Sequence, residues 1–415
     1  FLEILLVHTN MLTGPIPTQM GQLAFLTDFE AGGGWLSGTL PSELGLMTAL
    51  TSLALHRNEL NGTVPLELWN LTNLSYLLQL NDNALTGTLA TEVGHLTNLE
   101  TLRIYSTQLT GSLPSELGAM TRLAYLDLCC GLADQALPTE LGQLTELHTV
   151  YLENNLLSGI IPSELGNAKK LRLLHASSNA LSGSIPTELS MLSELDQLFL
   201  YSNTLTGAIP SELGLLANVT TMDIEINQLS STIPTELFQM ASIEILWMGK
   251  NAGLASTIPS ELGLLSSTLT SFAVDWSSIY GFLPTEVGKL SLLKELHLDV
   301  TNIIGSLRSE LGLLTSLETL IVDDNFFRGT IPNEMEKLGS SLTLFSLNNS
   351  FISGTIPSSL CDVPNLHFDC SDRLCGCECE CHQALRRGSY GICQQGSWSP
   401  STKRSSSTML QLVVF

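Results

Sequence analysis

One sequence unit recurs fifteen times along this chain. Its pattern is LxxLxLxxNxLxGxIPxxLGxLx, and eleven of the fourteen spacings between successive copies are 24 residues, the others being 25, 26 and 25. The copies open at Leu2, Leu26, Leu50, Leu74, Leu99, Leu123, Leu147, Leu171, Leu195, Val219, Ile243, Leu269, Leu293, Leu317 and Leu342. A fixed period in the twenties predicts a solenoid, because one unit cannot bury its apolar face alone and must stack on its neighbours. We number the predicted coils 1 to 15.

The first part of each copy alternates apolar and variable positions, which predicts a short strand. In coil 9, Leu198 and Leu200 point to the core, whereas Phe199 and Tyr201 face outward. Parallel strands stack about 4.8 Å apart, so fifteen of them predict a concave sheet roughly 70 Å long.

The remainder of each copy turns the chain back. Asn203 stands where the strand ends, and its amide can satisfy backbone groups buried in the bend. Proline fits the start of a helical turn, glutamate its first turn and glycine its end, so Pro210, Glu212 and Gly214 predict a short convex turn. Six coils lack the asparagine, and we expect them to be locally looser at Gly34, Thr107, Gly131, Ser277, Thr301 and Ser350.

The LxGxIP segment, which is residues 205–210 in coil 9, resembles the plant-specific class of leucine-rich repeats. That class is found in receptor-kinase ectodomains and polygalacturonase-inhibiting proteins. Residues 368–379 resemble the terminal cap of secreted or membrane-anchored microalgal proteins of this class. The resemblance implies an α/β solenoid, a right-handed superhelix of about 15 coils with a concave parallel sheet and short 3-10 or helical turns on the convex side. It also implies extracellular recognition of peptides, proteins or glycans, but no shared ligand, because function lies in the variable positions.

Three segments follow from the pattern. We predict a solenoid over residues 1–360, a cysteine-rich cap over 361–393 and a Ser-rich flexible tail over 394–415. Because Phe1 already lies inside a repeat, we expect the solenoid to be N-terminally truncated, with a signal sequence and earlier repeats upstream. A formal net charge of −23 argues against nucleic acid and anionic membranes as partners. No apolar run is long enough to span a bilayer, so we expect membrane attachment only through an anchor that this sequence does not contain.

Cysteine usage and glycosylation sequons indicate the secretory pathway and an extracellular or cell-surface location. The predicted cap is dense in candidate disulfide cysteines, which are Cys361, Cys370, Cys375, Cys377, Cys379, Cys381 and Cys393. Candidate glycosylation sites are Asn61, Asn70, Asn73, Asn218 and Asn348. Cys129 and Cys130 are adjacent, where a bridge would be strained, so we expect free thiols there.

The outward strand positions of coils 7 to 12 are the predicted ligand site. Aromatic and acidic residues are concentrated there and in coil 13, and large aromatics tend to mark recognition surfaces. The candidate residues are Tyr151, His175, Phe199, Tyr201, Asp223, Glu225, Trp247, Asp275, Trp276, His297 and Asp299. The alternative is that the aromatics are strand residues that pack sideways on their neighbours. His297 and Asp299 could contact a metal, but a solvated histidine is favoured, and we predict no metal site.

Two further rows offer other interpretations. Thirteen glutamates at the starts of the convex turns could bind calcium, although favourable contacts with the turn N-termini account for them structurally. Paired hydroxyls beside the glycine of the LxGxIP segment could order water or contact ice. They are Ser37/Thr39, Thr86/Thr88, Thr110/Ser112, Ser182/Ser184, Ser230/Thr232 and Ser353/Thr355.

Motifs for catalysis are missing from the sequence, which contains no Gly-x-Ser-x-Gly elbow, phosphate loop, zinc-protease motif or kinase signature. We therefore predict a non-enzymatic recognition module without a cofactor, either a receptor-like ectodomain or a secreted binder. Its expected partners are a peptide, protein or glycan ligand on the concave face, and a co-receptor. The alternatives are an inhibitor of a secreted hydrolase and an ice- or glycan-surface-binding protein.

Overall fold

The computed structural model describes residues 1–131 and 136–368, together with the backbone of 374–375 and 392–393. In the described part of the chain, each coil contributes a short strand to one long parallel sheet. A second, lateral strand follows in most coils, and then a 3-10 helix. The predicted leucine-rich-repeat solenoid is thus confirmed.

Sixteen parallel strands form the long sheet, which we call the concave sheet. They are Ile4–Leu6, Asp28–Glu30, Ser52–Ala54, Leu77–Gln79, Thr101–Arg103, Tyr125–Asp127, Thr149–Tyr151, Leu173–His175, Gln197–Phe199, Thr221–Asp223, Ile245–Trp247, Ser271–Ala273, Glu295–His297, Thr319–Ile321, Leu344–Ser346 and Asn365–His367. Each pairs in register with the strand one repeat away. The sheet therefore continues one strand beyond the fifteen repeats, and Ile392–Cys393 adds to Asn365–His367 antiparallel.

Lateral strands flank the concave sheet in shorter ladders. The first sheet contains Thr13–Gly14, Trp35–Thr39, Glu59–Thr63, Ala84–Thr88 and Gln108–Thr110. The second contains Ser182–Gly183, Thr204–Gly207, Gln228–Ser231 and Gly253–Leu254. The third contains Tyr280–Phe282, Asn302–Gly305, Phe326–Gly329 and Phe351–Ile352, and a last pair joins Gly354–Thr355 to Leu374–Cys375.

Short 3-10 helices line the convex side, as expected. They are Thr18–Gln22, Ser42–Leu46, Leu66–Asn70, Thr91–His95, Ser115–Ala119, Thr139–Gln143, Ser163–Asn167, Thr187–Met191, Ser211–Leu215, Thr235–Gln239, Ser260–Leu265, Thr285–Lys289, Ser309–Leu313, Asn333–Leu338 and Ser358–Asp362. Our assignment of Gly214 as the end of its turn was wrong, because Gly214 lies inside the helix. A Cβ on Gly214 would collide with the backbone of Glu236 in the next coil. Close packing between coils, rather than termination, therefore explains this glycine.

The core is one continuous stack of leucines and related side chains. Leu195, Leu198 and Leu200 of coil 9 are fully buried, and equivalent residues are buried from coil 2 to coil 15. Burying an apolar side chain of this size contributes about 1.5–3 kcal/mol. Each coil depends on its neighbours for that burial, as a solenoid requires.

The asparagine ladder is confirmed. In coil 9 the Asn203 amide donates to the carbonyls of Ala176 and Leu200, both at 3.0 Å, and its Oδ1 accepts from the Leu181 N–H at 3.0 Å. At four of the six positions that lack the asparagine, a hydroxyl replaces one of these bonds, and the looser packing of these coils stays a prediction. Each hydroxyl donates to the carbonyl three residues earlier, from Thr107, Ser277, Thr301 and Ser350.

Candidate functional site

Two rows of side chains run along the concave face of coils 7 to 13. The central row comes from the last strand positions, which pair in register as Tyr151, His175, Phe199, Asp223, Trp247, Ala273 and His297. The second row comes from the positions two residues after the central row, where backbone hydrogen bonds between adjacent coils continue. It contains Glu153, Ser177, Tyr201, Glu225, Gly249, Asp275 and Asp299. Ten of the eleven predicted ligand-site residues fall in these rows.

An aromatic run occupies the first half of the site. Ring centroids are 5.9 Å apart between Tyr125 and Tyr151, 6.0 Å between Tyr151 and His175, and 5.0 Å between His175 and Phe199. Tyr201 lies 6.1 Å from His175. All five side chains are partly buried, so they pack sideways while still presenting faces and edges to solvent. Sideways packing on neighbouring strands and availability to a ligand are therefore compatible properties of these rings.

His175 is held in place by two polar neighbours. The Ser177 hydroxyl lies 2.7 Å from His175 Nε2, and Glu153 Oε2 lies 3.6 Å from His175 Nδ1. Burial lowers the pKa of His175 despite the opposing effect of Glu153, so the ring is neutral at pH 7. At the start of the run, Arg103 stacks on Tyr125 with its guanidinium carbon 4.2 Å from the ring centroid.

Carboxylates fill the second half of the site around one lysine. Lys250 Nζ lies 3.5 Å from Glu225 Oε2 and 3.7 Å from Asp275 Oδ2. Burial raises the pKa of Asp223 and of Asp299 to about 6, and that of Glu225 to about 7. The cluster holds more carboxylates than Lys250 can neutralise, so this part of the face favours neutral or cationic partners.

A hydrogen-bonded chain connects Trp247 to the next coils. Trp247 Nε1 donates to Ser271 Oγ at 2.8 Å, and that hydroxyl donates to Glu295 Oε2 at 2.7 Å. The indole N–H of Trp247 therefore has a hydrogen-bond partner, and this bond fixes the orientation of the ring. In coil 13, His297 Nε2 is buried without a hydrogen-bond partner among the described residues, and burial lowers the pKa of His297.

Trp276 lies outside the two rows. It occupies the position just before the asparagine site, where the backbone adopts a left-handed conformation with φ 48°, and it is 57% exposed. The strand alternation that orients the other candidates does not extend to this position. Lys250 has the same left-handed backbone in coil 11, at φ 55°, yet its amine reaches the second row.

The contributors to this surface that were not among the predicted residues include Arg103, Tyr125, Glu153, Ser177 and Lys250. The first four occupy outward positions of their own coils, so a complete list of those positions would have included them. Lys250 could not be found in this way, because it lies one residue after the second-row position of its coil and only its side-chain amine approaches that row. Within the described ranges, no group of three or more His, Cys, Asp or Glu residues could hold a metal ion, and this includes the residues of the concave face.

The candidate modification sites differ in accessibility. Asn61, Asn70, Asn73 and Asn218 are exposed, whereas Asn348 is half-buried on the concave face, with its amide 3.1 Å from Ser346 Oγ.

Cys129 and Cys130 are free thiols, as expected. Cys361 is half-buried against the end of the core. Of the other predicted disulfide cysteines, Cys375 and Cys393 have only their backbone described. The remaining four lie outside the described residues, namely Cys370, Cys377, Cys379 and Cys381.

The convex and lateral rows have structural explanations. At the start of most convex helices, a serine or threonine hydroxyl donates to the following glutamate, as from Ser211 to Glu212 at 3.2 Å. The hydroxyl pairs do not form one array, because the lateral strands divide into separate sheets and their register is offset. Thr39, for example, pairs with Asn61 rather than with Thr63.

Comparison with known proteins agrees with this geometry. The family model described as Leucine Rich Repeat matches residues 98–120 and 146–168. The chain is therefore a leucine-rich-repeat protein, and its repeats have the plant-type pattern. No curated protein sequence matches it.

Solved structures extend the likeness to most of the chain. The plant peptide hormone receptor RGFR1 in complex with RGF2 has a TM-score of 0.77 and 28% identity, over 88% of this chain and 62% of that chain. The ectodomain of the receptor kinase GASSHO1/SCHENGEN3 from Arabidopsis thaliana, in complex with CASPARIAN STRIP INTEGRITY FACTOR 2, has a TM-score of 0.75 and 32% identity, over 88% and 46%. A leucine-rich-repeat protein from Leptospira interrogans has a TM-score of 0.67 and 29% identity, over 85% and 91%.

This chain therefore spans less than two thirds of the length of either plant ectodomain. Among the described residues, no helix is both long and apolar enough to cross a bilayer.

Proposed function

We propose that this chain is a non-enzymatic extracellular recognition module that binds an extended peptide on the concave face of coils 7 to 12. The observation that carries the proposal is the junction of the aromatic run with the carboxylate cluster on one continuous surface. At that junction Phe199, Asp223 and Trp247 stand in register on three adjacent strands.

The surface suits a peptide for two physical reasons. Partly buried aromatic rings offer large, rigid contact areas that lose little conformational entropy on binding. The carboxylates around Lys250 give the neighbouring coils a negative field, which attracts basic side chains or a terminal amine. The similarity to a plant peptide hormone receptor, RGFR1 in complex with RGF2, supports a peptide rather than a glycan.

An extracellular setting is supported by separate features. Four of the five sequons are exposed, which glycosylation requires. Cys361 is disulfide-bonded, which supports a stapled cap over residues 361–393. We propose that residues 394–415 form a flexible tail, and that a co-receptor is a further partner of the bound state.

Peptide panning on the full chain tests the proposal. Peptides recovered from a random displayed library would be measured by calorimetry against the parent, Tyr201→Ala and Trp247→Ala. Each truncation should weaken binding by about 1–2 kcal/mol, roughly tenfold, because a buried aromatic contact is lost. Tyr76→Ala, which removes a 64% exposed tyrosine outside both rows, is the matched control and should leave affinity unchanged.

The controls separate binding from folding. Tyr201→Phe keeps the ring and should retain affinity, and circular dichroism should show the same fold for all variants. If no recovered peptide depends on Tyr201 or Trp247, or if Tyr76→Ala weakens binding as much as they do, the site assignment is wrong.

A further inference from the structure

Two adjacent cysteines lie on the concave face of coil 6, beside the aromatic run. They follow the strand Tyr125–Asp127, and both side chains are partly exposed. Their sulfur atoms are 2.8 Å apart and share a hydrogen bond. Cys130 has a left-handed backbone with φ 67°, the conformation that the equivalent residue of other coils adopts, so the fold itself fixes this geometry.

The local environment favours Cys130 as the thiolate of the pair, because the hydrogen bond with Cys130 and burial raise the pKa of Cys129. The hydrogen bond with Cys129 lowers the pKa of Cys130, against the opposing effects of burial and of the Glu153 carboxylate. A thiolate is the nucleophile in thiol–disulfide exchange, and partial exposure gives a small disulfide access to it.

Adjacency determines how stable the oxidised form would be. Neighbouring Cα atoms are about 3.8 Å apart across a trans peptide, below the 4.4–6.8 Å or so that is usual for disulfides. A bridge between adjacent residues is therefore strained, and strained disulfides are the easily reduced ones. Such a bridge would open again under mild reduction, whereas a structural disulfide would persist.

We propose that Cys129 and Cys130 are a redox modification site, which low-molecular-weight disulfides such as glutathione disulfide close reversibly to a vicinal disulfide. One cysteine thiolate attacks glutathione disulfide, forms a mixed disulfide and releases one glutathione thiolate. The second cysteine, after losing its proton, attacks the protein sulfur of that mixed disulfide and releases the other glutathione. Two electrons pass from the cysteine pair to glutathione disulfide, and two glutathione molecules are produced.

Mass spectrometry of the full chain tests this directly. Trypsin releases residues 123–169 as one peptide, and Cys129 and Cys130 are its only cysteines. After exposure to glutathione disulfide and then iodoacetamide, this peptide should lose two hydrogen atoms and both alkylation sites. Mild dithiothreitol should restore both sites.

Single variants separate ring closure from simple adduct formation. In Cys129→Ser or Cys130→Ser, exchange should stop at a persistent adduct with one glutathione, because no second thiol can displace it. The proposal is overturned if the parent peptide stays doubly alkylated, or if it retains glutathione as the single variants do. Because the decisive reading is made on the parent protein, misfolding of a variant would not leave the proposal untested.

Discussion

Replacing Asn203 by alanine tests the feature that connects one coil to the next. Asn203 is 8% exposed and bonds to four backbone groups, two of which belong to the preceding coil; its bond to the Tyr201 carbonyl is the longest, at 3.3 Å. Alanine can make none of these bonds. The Leu181 N–H would lose its partner, and the Ala176 and Leu200 carbonyls would each lose one of their hydrogen bonds.

The expected cost follows from that count. A buried polar group left without a partner costs about 1–3 kcal/mol. The Leu181 N–H would be left without a partner, whereas the Ala176 and Leu200 carbonyls keep bonds from Asn179 and Asn227 and lose one bond of about 0.5–1 kcal/mol each, so the total loss is about 3 kcal/mol. Threonine should cost about 1 kcal/mol less, because a hydroxyl can keep one bond. Thr301 shows this arrangement in coil 13, where its hydroxyl donates to the Leu298 carbonyl at 2.9 Å.

Urea unfolding and amide hydrogen exchange together provide the assay. Exchange at the Leu200 N–H, which donates to the Asp223 carbonyl of the next coil at 2.9 Å and not to Asn203, reports the opening of one coil. This matters because a solenoid can open locally without unfolding throughout. A loss of about 3 kcal/mol corresponds to exchange roughly 100-fold faster at that amide if local opening limits it. Thr206→Ala, at an exposed position of the same coil, is the control and should change stability by about 0.5 kcal/mol or less.

Two results would contradict this reasoning. Asn203→Ala could lose less than about 1 kcal/mol, which would mean that water replaces the amide at little cost. Alternatively, threonine could cost as much as alanine, which would mean that side-chain volume and not hydrogen bonding matters at this position.

Three further predictions address packing and charge. Because burial raises the folded-state pKa of Asp223 to about 6 from 3.8, its stabilising contribution is lost as pH rises through that range. Urea unfolding should therefore show Asp223→Asn gaining about 2–3 kcal/mol on the parent between pH 4 and pH 7, and a constant difference would refute this. Gly214→Ala should lower the free energy of unfolding by about 1–3 kcal/mol, because its Cβ meets the Glu236 backbone; unchanged stability would show that the coils separate freely. Lys250→Met should enrich panned peptides in arginine and lysine, since Glu225 loses its internal cation, whereas Lys289→Met on the convex side should give the parent composition; equal enrichment would contradict the proposed site.

Much of the fold could be read from the sequence because each coil repeats the same local chemistry. The positions of Leu195, Leu198 and Leu200 predicted the buried face, and Asn203 predicted the polar bend. The outward alternation placed Phe199 on the concave face for the same reason. Because all coils share the pattern, a correct assignment of the positions in one coil predicted the sheet and the convex turns of all the others.

Contacts between coils could not be read in this way. The partners of Lys250 lie 25 residues away in either direction, at Glu225 and Asp275, and their distances depend on how coils stack. Gly214 has its role because another coil's backbone packs against it.

The sequence by itself determined the repeat, the buried side of each strand and the outward positions available to a ligand, because these depend on neighbours within one coil. Only the tertiary structure decided which outward side chains touch. It packed the aromatic rings against one another at tilted or edge-to-face angles, gathered the carboxylates around Lys250 and brought the sulfur atoms of Cys129 and Cys130 within 2.8 Å. These arrangements depend on the stacking of coils and on a left-handed residue at each bend, neither of which is encoded in the leucine spacing.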